Sequence, residues 1–316
     1  MYSIGADLGG TKVSAVLVDP SGAVLRSSYL AHDGTADGAI DAIVAIVAAF
    51  AAAAPADVHL GVAAAGLVDR TTGDLIDSAL LGAKSVALGD RLASRLQLDV
   101  LVENDANATL RGVLPIEAPT QTALLVALGT GVGGAASFDG TVVEGANGFA
   151  AEIGHIPVEQ SGIHPCPCGS SGCLELFASG PSVALAAEVR GLRAADGSAP
   201  RAEDVVIAAA QGDPTSLEVL DAAGSAIGHA LVALIAVVDP AVIYISGGFG
   251  HAAAPFLIPA VVRRIAAQQS FSAARRPPEI LVDPVGPLAA AIGAARLAHI
   301  HHARESTVHE RCSNEP

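Results

Sequence analysis

A strand, a glycine-rich turn and a second strand occur twice in this sequence, and this repeat constrains the fold more than any other feature. In the first copy, the apolar run Ile4 to Asp7 leads into Leu8-Gly9-Gly10-Thr11-Lys12. In the second copy, Thr122 to Leu128 leads into Gly129-Thr130-Gly131-Val132-Gly133-Gly134. Short apolar runs on both sides of glycines predict β-hairpins. One hairpin near the start of each half indicates a chain built of paired lobes.

The remaining pattern alternates strands and helices, as in α/β proteins. The turn residues 19–22 precede a third strand, so the chain is predicted to open as an antiparallel meander. Other segments are predicted as helices over 38–54, 217–238 and 288–299, and as strands over 58–64, 100–103 and 242–246. Length agrees with this reading, because 316 residues suffice for two domains of roughly 150 residues each.

The chain is rich in apolar residues but lacks long uninterrupted apolar runs. It is 51% hydrophobic, with a mean hydropathy of +0.51. The run 42–54 stops at Pro55 and the run 123–138 is broken by glycines, so no membrane span is expected. A net charge of -15 with only 17 Lys and Arg disfavours nucleic acid as a partner. Because no basic segment precedes an apolar one at the N-terminus, we expect a cytoplasmic protein that binds small molecules.

Three of the four cysteines lie in one short segment, at positions 166, 168 and 173. The spacing C-x-C-x4-C offers three thiolates, and one histidine would complete a tetrahedral structural zinc site. His164, two residues before Cys166, is a local candidate for the fourth ligand. The alternative is three buried free thiols without a metal. Cys312 lies far along the chain and is expected to be unrelated.

Two aspartates stand where predicted strands end. Asp7 precedes the first glycine turn, whose backbone N–H groups can approach phosphate oxygens because glycine has no Cβ. A carboxylate there can hold Mg²⁺ directly or through water. Asp105 follows the strand 100–103 and precedes a helix, so it is either an ordinary helix N-cap or a functional residue. The residues alone leave these two roles open.

Four segments, taken together, resemble the ROK family, a name that covers repressors, open reading frames and kinases. They are Ile4-Gly5-Ala6-Asp7-Leu8-Gly9-Gly10-Thr11-Lys12, Glu103-Asn104-Asp105-Ala106-Asn107-Ala108, Leu128-Gly129-Thr130-Gly131-Val132-Gly133-Gly134, and Glu152-Ile153-Gly154-His155 followed by Cys166-Pro167-Cys168-Gly169-Ser170-Ser171-Gly172-Cys173-Leu174-Glu175. The resemblance runs in order from about residue 2 to about residue 300. It implies an α/β fold of the actin-like ATPase (RNase H-like) type. Such a fold has two lobes, each with a mixed β-sheet, and a nucleotide and sugar cleft between them.

The resemblance also implies how the chain is divided. A small N-terminal lobe is expected over 1–115 with a returning helix over 284–300, and a large lobe with a zinc knot over 116–283. The polar tail 301–316 shows no periodicity and is expected to be flexible. Family similarity further implies a homodimer or homotetramer.

The activity implied by the resemblance is that of an ATP-dependent hexokinase or glucokinase. Asp105 would be the general base, and the phosphorylated group would be the 6-hydroxyl of a glucose-like hexose. The cofactors would be ATP, Mg²⁺ and structural Zn²⁺. Sugar contacts would come from Gly66, Asn104, Asp105, Glu152, His155 and Glu175. Nucleotide contacts would come from Asp7, Gly9, Gly10, Thr11, Lys12, Gly129, Thr130, Gly131, Gly133, Gly247 and Gly248. Zinc ligands would be His155, Cys166, Cys168 and Cys173, with His155 favoured over His164.

Two positions depart from the family pattern and keep other functions open. Ala65 stands where the sugar loop usually has proline, and Leu80 stands where sugar kinases tend to have asparagine. Because an apolar side chain cannot bond a hydroxyl, the substrate could instead be a cyclitol or an amino sugar. A sugar-binding regulator without a DNA-binding domain and a catalytically idle zinc-stabilised module are further alternatives. The first strand begins almost at Met1, which argues against a preceding helix-turn-helix domain.

Overall fold

The computed structural model describes residues 2–69, 71–78, 82–116, 121–159, 163–268 and 276–313. Its contacts divide the chain into two compact units, each containing more than one segment of sequence. Unit 1 consists of Met1–Pro115, Glu144–Ala150 and Pro287–Pro316, and unit 2 of Ile116–Val143 and Ala151–Gly286. The chain therefore passes from one unit to the other four times.

The elements follow one another in chain order. The strands are β1 (Tyr2–Leu8), β2 (Lys12–Val18), β3 (Val24–Ala31), β4 (Val58–Ala64), β5 (Leu67–Asp69), β6 (Asp74–Ser78), β7 (Ala83–Val86), β8 (Val100–Asn104), β9 (Ala123–Leu128), β10 (Val132–Phe138), β11 (Thr141–Val142), β12 (Val242–Ser246) and β13 (Glu279–Val282). The α-helices are α1 (Ala36–Ala53), α2 (Leu88–Leu96), α3 (Asp105–Val113), α4 (Glu175–Ala178), α5 (Gly180–Val189), α6 (Ala202–Ala210), α7 (Pro214–Val238), α8 (Gly248–Gln268) and α9 (Ala289–Ser313). Short 3₁₀ helices lie at Ile153–His155 and Gly286–Leu288.

Unit 1 is built on a five-stranded sheet in the order β3-β2-β1-β4-β8. The first three strands form the predicted antiparallel meander, and β4 and β8 continue it as parallel neighbours of β1. Ile4, Ala6 and Leu8 alternate along β1 and enter the same core as the apolar face of α1. Thr35 caps α1 by accepting the N–H of Gly38. A small antiparallel sheet, β5-β6-β7, belongs to the same unit.

The other face of this sheet packs against α9, and at two strand positions no side chain separates the strand backbone from the helix backbone. A Cβ added at Gly5 would lie 1.8 Å from the carbonyl oxygen of Ala291, and one at Gly61 would lie 2.0 Å from that of Ala294. Such contacts are possible only for glycine, because no real Cβ approaches so closely. Several alanines of α9 therefore take part in tight backbone packing.

Unit 2 repeats the same arrangement in the sheet order β11-β10-β9-β12-β13. β9, β10 and β11 are antiparallel, whereas β12 and β13 run parallel to β9. The core is formed with α7, which begins at Pro214 and is capped by Asp213, and with the neighbouring α8. Gly224 and Gly228 let α8 approach α7 closely. The sequence pattern missed α8, because Pro255 and Pro259 lie inside it and proline ordinarily argues against a helix interior.

The C-terminal helix extends further than the sequence indicated. α9 runs from Ala289 to Ser313, past residue 301 where a flexible tail was expected to begin. No glycine or proline interrupts the chain between Gly293 and Pro316, so nothing in the sequence ends the helix earlier. His302 is buried and stacks on His59 of β4, with ring centroids 3.5 Å apart. This contact continues the packing of α9 beyond residue 300.

Two helices, α1 and α7, are long and apolar enough to cross a membrane by length and composition. About two fifths of the apolar window is buried inside the protein in each case, 39% in α1 and 44% in α7. α1 contributes residues to the main hydrophobic core of unit 1, and α7 contributes residues to the main hydrophobic core of unit 2. Their apolar character is thus accounted for in part by core packing.

Candidate functional site

The carboxyl ends of three parallel strands meet at one edge of the unit 1 sheet. In the strand register, Leu8 lies beside Ala64, and Ala64 lies beside Asn104. Asp7, Gly66 and Asp105 therefore come to the same edge of the sheet. In parallel sheets this edge commonly carries functional residues.

Asn104 fixes the start of α3. Its side-chain oxygen accepts the N–H groups of Ala106 at 2.9 Å and Asn107 at 3.2 Å, which is the geometry of a helix N-cap. Asp105 is the first residue of the helix, and its Oδ1 also accepts the Ala106 N–H at 2.9 Å. The cap role that sequence reasoning left open for Asp105 is thus performed by Asn104. Asp105 remains partly exposed.

Gly66 is brought to Asn104 by a hydrogen bond. The side-chain amide of Asn104 donates to the carbonyl oxygen of Gly66 at 3.1 Å. Gly66 has a φ of 132°, and a Cβ there would lie 2.2 Å from the carbonyl oxygen of Asp77. Only glycine can occupy this position. The neighbouring Ala65, which replaces the usual proline, accepts the Ser78 hydroxyl at 2.8 Å through its carbonyl oxygen.

Asp7 lies under strong electrostatic influence from its neighbours. Burial is the largest cause that raises its pKa, the negative charge of Asp105 raises it further, and Lys12 lowers it, with a net value of about 7. The two carboxylates are therefore close enough to repel each other. A divalent cation or a phosphate-bound metal would relieve this repulsion and favour ionised Asp7.

The first glycine turn is supported from β3, by a residue that sequence analysis missed. Gly9 donates its N–H to the carbonyl oxygen of Lys12 at 3.1 Å, which closes the turn. Behind it, Nε2 of His32 lies 2.9 Å from the carbonyl oxygen of Gly9, and the backbone N–H of His32 donates to Thr11. His32 follows the end of β3 directly, and its place there gave no periodic signal in the sequence.

The second glycine turn is held by a carboxylate from another element. Oε2 of Glu175 accepts the backbone N–H of Val132 at 2.9 Å. A Cβ at Gly131 would lie 2.5 Å from the same oxygen, so glycine there makes room for the carboxylate. Gly129 accepts the N–H of Gly180 at 2.9 Å. Gly133, expected in the turn, lies instead inside β10 opposite Ala127.

The turn Gly247-Gly248 lies at the same edge of the unit 2 sheet. Gly247 has a φ of 83°, and a Cβ there would lie 2.3 Å from the carbonyl oxygen of Leu128. His251 braces this turn, with Nδ1 at 2.9 Å from the carbonyl oxygen of Gly247 and Nε2 at 3.1 Å from that of Asp283. The buried carboxylate of Asp283 accepts the Ser246 hydroxyl at 2.8 Å.

Sequence analysis missed this support for the Gly247-Gly248 turn. The one available signal was Asp283 in the Asp-Pro-Val-Gly turn that follows β13. Its Oδ1 accepts the backbone N–H groups of Val285 and Gly286, at 2.7 and 3.1 Å.

Glu152, His155 and Glu175 form an electrostatic group in unit 2. Burial raises the pKa of Glu152, His155 lowers it and Glu175 raises it, with a net upward shift. Glu152 and His155 are exposed, whereas Glu175 is partly buried. Two carboxylates beside an imidazole provide several acceptors and one donor for a ligand with many hydroxyl groups.

His155 also belongs to a cluster with Cys166, Cys168 and Cys173. One possible ligand atom from each of these residues lies within 4.8 Å of all the others. Sγ of Cys168 lies 3.7 Å from Sγ of Cys173, and Sγ of Cys166 lies 3.9 Å from Nδ1 of His155. Zn–S bonds of about 2.3 Å in a tetrahedron place sulfurs about 3.8 Å apart. The donor set and its spacing therefore fit a structural zinc ion.

The backbone of the cysteine segment is folded to bring these atoms together. Gly172 accepts the N–H of Val158, and its own φ of 68° is one that glycine adopts freely. His164 stands outside the cluster, because its Nδ1 faces Glu159 at 3.5 Å and its ring packs edge-on to Phe177. Burial, followed by hydrogen bonds to the other thiols, raises the pKa of Cys173 to about 12. A bound cation would favour its thiolate.

Leu80, the position expected to alter sugar preference, lies outside the described residues, as do Ala79 and Leu81. The flanking Ser78 is buried at the end of β6. Its hydroxyl donates to the carbonyl oxygen of Ala65. This bond links Ala65, one of the two positions that depart from the family pattern, to the residue that precedes the segment containing the other.

Similarity to known proteins extends over nearly the whole chain. The sequence profile of the ROK family matches residues 3–301. The glucokinase of Streptomyces coelicolor is 30% identical over 311 residues, which cover 94% of this chain and 97% of that protein. The glucokinase of Thermotoga maritima is 32% identical over 269 residues, covering 79% and 82%. A solved structure of a ROK family glucokinase from Streptomyces griseus in complex with glucose and AMPPNP has a TM-score of 0.80 and 31% identity, covering 94% of this chain and 99% of that chain.

The fold and these matches define a class of protein, a two-unit α/β chain of the actin-like ATPase type. Within that class, the chain belongs to the ROK family. Both the family and the fold predicted from the four sequence segments are confirmed.

Proposed function

We propose that this protein is an ATP-dependent sugar kinase that phosphorylates a glucose-like hexose, at its 6-hydroxyl. The observation that carries the proposal is the pairing of Asp7 and Asp105 at one edge of the unit 1 sheet, where the charge of Asp105 helps to raise the pKa of Asp7. Similarity to the Streptomyces griseus glucokinase, whose structure contains glucose and AMPPNP, supports the same reaction class.

Asp105 acts as the general base in this proposal. Its carboxylate accepts the proton of the attacking hydroxyl as that oxygen bonds to the γ-phosphorus of ATP, and the bond from phosphorus to ADP breaks. The hydrogen bond from the Ala106 N–H and the cap by Asn104 hold Asp105 at a helix N-terminus. A fixed carboxylate needs little reorganisation when the proton is transferred.

Asp7 and the glycine turns serve the triphosphate. Asp7 would hold Mg²⁺ directly or through water, and the metal would neutralise charge on the phosphates. Lys12 supplies a positive charge next to Asp7. The nucleotide turns in unit 2 would contribute backbone N–H groups from Thr130, Gly131, Gly247 and Gly248, while Gly129 closes its turn by donating its own N–H to the carbonyl oxygen of Gly131 at 3.0 Å.

Glu152, His155 and Glu175 orient the sugar, together with Asn104 and Gly66. Each carboxylate can accept from two hydroxyl groups, which suits a polyol. His155 would have one ring nitrogen on zinc and its other edge towards a sugar hydroxyl. The zinc ion, held also by Cys166, Cys168 and Cys173, would supply a fixed orientation for that ring.

Two other functions remain distinct from this proposal. Leu80 and Ala65 favour testing cyclitols and amino sugars as substrates, because both replace residues usual in the family's sugar loops. A sugar-binding regulator would keep the pocket without turnover. We also propose a cytoplasmic homodimer or homotetramer that binds neither nucleic acid nor membrane, on the grounds of the net charge of -15 and the family.

The proposal is tested by measuring ADP release over a panel of hexoses, amino sugars and cyclitols with ATP and Mg²⁺. We expect turnover with a hexose, and the product should carry phosphate on the primary hydroxyl by NMR. Sugar binding by calorimetry without any ADP release would instead support the regulator. Turnover only with a cyclitol or amino sugar would correct the substrate class and keep the kinase.

The zinc proposal has its own measurement. Elemental analysis should find about one zinc per chain, and Cys168→Ser should lose it. Because His155 would then lose its orientation, the sugar KM should rise by roughly tenfold to a hundredfold, the range typical of disturbed metal shells. Ser170→Ala, in the same loop but without a ligand atom, is the matched control. A wild-type protein that is fully active without zinc would refute the role.

A further inference from the structure

A buried ion network joins three segments of unit 1. Arg111 of α3 donates from Nη2 to Oε1 of Glu103 at 2.9 Å and from Nε to Oε2 at 3.2 Å, a bidentate pair. Nη2 also lies 3.5 Å from Oε1 of Glu144. The exposed fractions of the three side chains are 13% for Arg111, 3% for Glu103 and 19% for Glu144. These ions are therefore largely removed from solvent, where screening is weak.

The charges of this network are arranged unequally. Burial lowers the pKa of Arg111, but the charges of Glu103 and Glu144 and the hydrogen bonds to Glu103 raise it by more. Glu103 accepts two hydrogen bonds from the guanidinium of Arg111. In the sequence it directly precedes Asn104-Asp105. Glu144 adds one longer contact. Loss of Glu144 would thus leave the bidentate pair intact, whereas loss of Arg111 would leave two buried carboxylates facing each other.

Glu144 begins a short excursion of the chain. Residues Glu144–Ala150 belong to unit 1, although unit 2 contains the sequence on both sides. The N–H of Ala150 donates to the carbonyl oxygen of Glu144 at 3.2 Å, which closes the excursion as a loop. Residues 145, 146, 147 and 149 are exposed. The contact with Arg111 therefore fastens a loop that has little burial of its own.

The residues after this loop pack within unit 2. Ala151 has a φ of 61°, a left-handed conformation that is unfavourable for a non-glycine residue. Its carbonyl oxygen would meet a Cβ at Gly134 at 2.8 Å, and Ile153 packs on the same glycine. Glu152 stands between Ala151 and Ile153. Its backbone is thus set by the unit 2 packing after it and by the fastened loop before it.

We propose that Glu144 is a positioning residue for sugar binding, because its ion pair with Arg111 fixes the loop 144–150 and thereby the backbone that presents Glu152. This inference rests on the proposed function, since it assigns Glu152 to the sugar. Glu103 and Arg111 support the proposed general base instead. Their bidentate pair joins β8 to α3, and Asp105 lies between these two residues in the sequence. Arg111 therefore contacts Glu103, which supports the base, and Glu144, which fixes the loop 144–150.

The test is Glu144→Gln, which keeps the size of the side chain and removes its charge. We expect the sugar KM to rise about tenfold, well below the roughly hundredfold cost of misplacing a reacting group. The values of kcat and of the ATP KM should stay within twofold of wild type. Glu144→Asp, which keeps the charge, should recover part of the sugar affinity. Calorimetry of sugar binding without ATP should show the same loss in Glu144→Gln.

The matched control is Asp41→Asn, which breaks the exposed pair between Arg95 and Asp41 elsewhere in unit 1. Its sugar KM should match wild type. Hydrogen exchange measured by mass spectrometry should show faster exchange over 145–150 in Glu144→Gln and no change in Asp41→Asn. Both variants should unfold at temperatures close to that of wild type, because the pair between Glu103 and Arg111 is kept.

Three results would overturn the inference. An unchanged sugar KM in Glu144→Gln, with an active wild type, would remove the role of Glu144 and leave the kinase proposal standing. A fall in kcat together with a clearly lower unfolding temperature in Glu144→Gln would show a general structural effect instead of positioning. A wild type that neither binds nor phosphorylates any sugar of the panel would end the proposed function, and this inference with it.

Discussion

The two glycine-tipped hairpins are alike in topology and unlike in charge. Each belongs to a five-stranded sheet with an antiparallel meander followed by two parallel strands. The β1–β2 hairpin carries Asp7 and Lys12 around its turn, and Asp105 acts on Asp7 from the strand edge. The β9–β10 turn has no charged residue of its own, and a carboxylate from α4 binds its backbone at Val132.

Two hairpins with the same strand topology thus present two kinds of chemistry. In unit 1 the hairpin carries Asp7, and the repulsion between Asp7 and Asp105 of α3 favours binding of a cation. In unit 2 the hairpin offers backbone N–H groups, and Gly131 leaves space for Glu175. Substitutions near the hairpin turns should therefore affect ionisation and catalysis at the β1–β2 turn, but ligand geometry at the β9–β10 turn.

The largest effect is expected for Asp105→Asn. Because the amide cannot accept the hydroxyl proton as a base, kcat should fall by roughly 10² to 10⁴ while sugar affinity is kept. Asp90→Asn, an exposed acid in the first turn of α2, is the matched control and should leave kcat unchanged. Steady-state kinetics and calorimetry measure the two quantities. A kcat close to wild type would remove Asp105 from the mechanism.

A smaller effect is expected for Asp7→Asn on stability. The folded pKa of about 7 lies above the ordinary value of 3.8, so the unfolded chain ionises first as pH rises. Between pH 4 and 7 the unfolded state holds fewer protons, and the free energy of unfolding falls with rising pH. Removing the charge should therefore raise the free energy of unfolding at pH 8 by on the order of 2 kcal/mol, with little change at pH 4 to 5.

Urea unfolding without nucleotide or metal, at pH 5 and pH 8, measures this difference. Asp41→Asn, at an exposed position of unit 1, is the control and should shift stability equally at both pH values. If Asp7→Asn also gave the same shift in stability at pH 5 and pH 8, then burial and the charge of Asp105 would not raise the pKa of Asp7.

The smallest effect is expected for Gly131→Ala. The added methyl group would meet Oε2 of Glu175 at 2.5 Å, so the carboxylate must move away from the Val132 N–H. The sugar KM should rise about fivefold, in line with roughly 1 kcal/mol for a weakened hydrogen bond. Gly129→Ala in the same turn has nothing within 4 Å of its Cβ, so its effect on the sugar KM should be clearly smaller. Equal effects would mean that Glu175 does not set the geometry.

The sequence predicted the elements whose periodicity is plain. The meander, β12 over Val242–Ser246 and most of α7 were predicted because apolar runs between turn residues have few alternatives. α8 was missed because two internal prolines mask its helical pattern. The extension of α9 was missed because the sequence 301–313 is mostly polar and has no apolar periodicity, and because the packing of His302 on His59 is a long-range contact.

The same distinction holds for the candidate site. The three clustered cysteines and the position of Asp7 before a glycine turn follow from local spacing, whereas the roles of Asn104 and Asp105 were implied by the resemblance to the ROK family. The supports provided by His32, His251 and Asp283 do not follow from local spacing, because each joins residues that are distant along the chain. The choice of Asn104 rather than Asp105 as helix cap required the hydrogen bonds themselves.

The glycine and alanine contacts of α9 extend to α3, where a Cβ at Gly112 would lie 1.9 Å from the carbonyl oxygen of Ala289 and one at Gly293 would lie 1.7 Å from that of Ala108. A single added methyl group at either glycine would force the two helices apart. At these positions α3, which begins with Asp105, contacts the backbone of α9 directly. No flexible side chain lies between the two helices there that could move aside. The contact between α3 and α9 therefore tolerates no larger residue at Gly112 or Gly293.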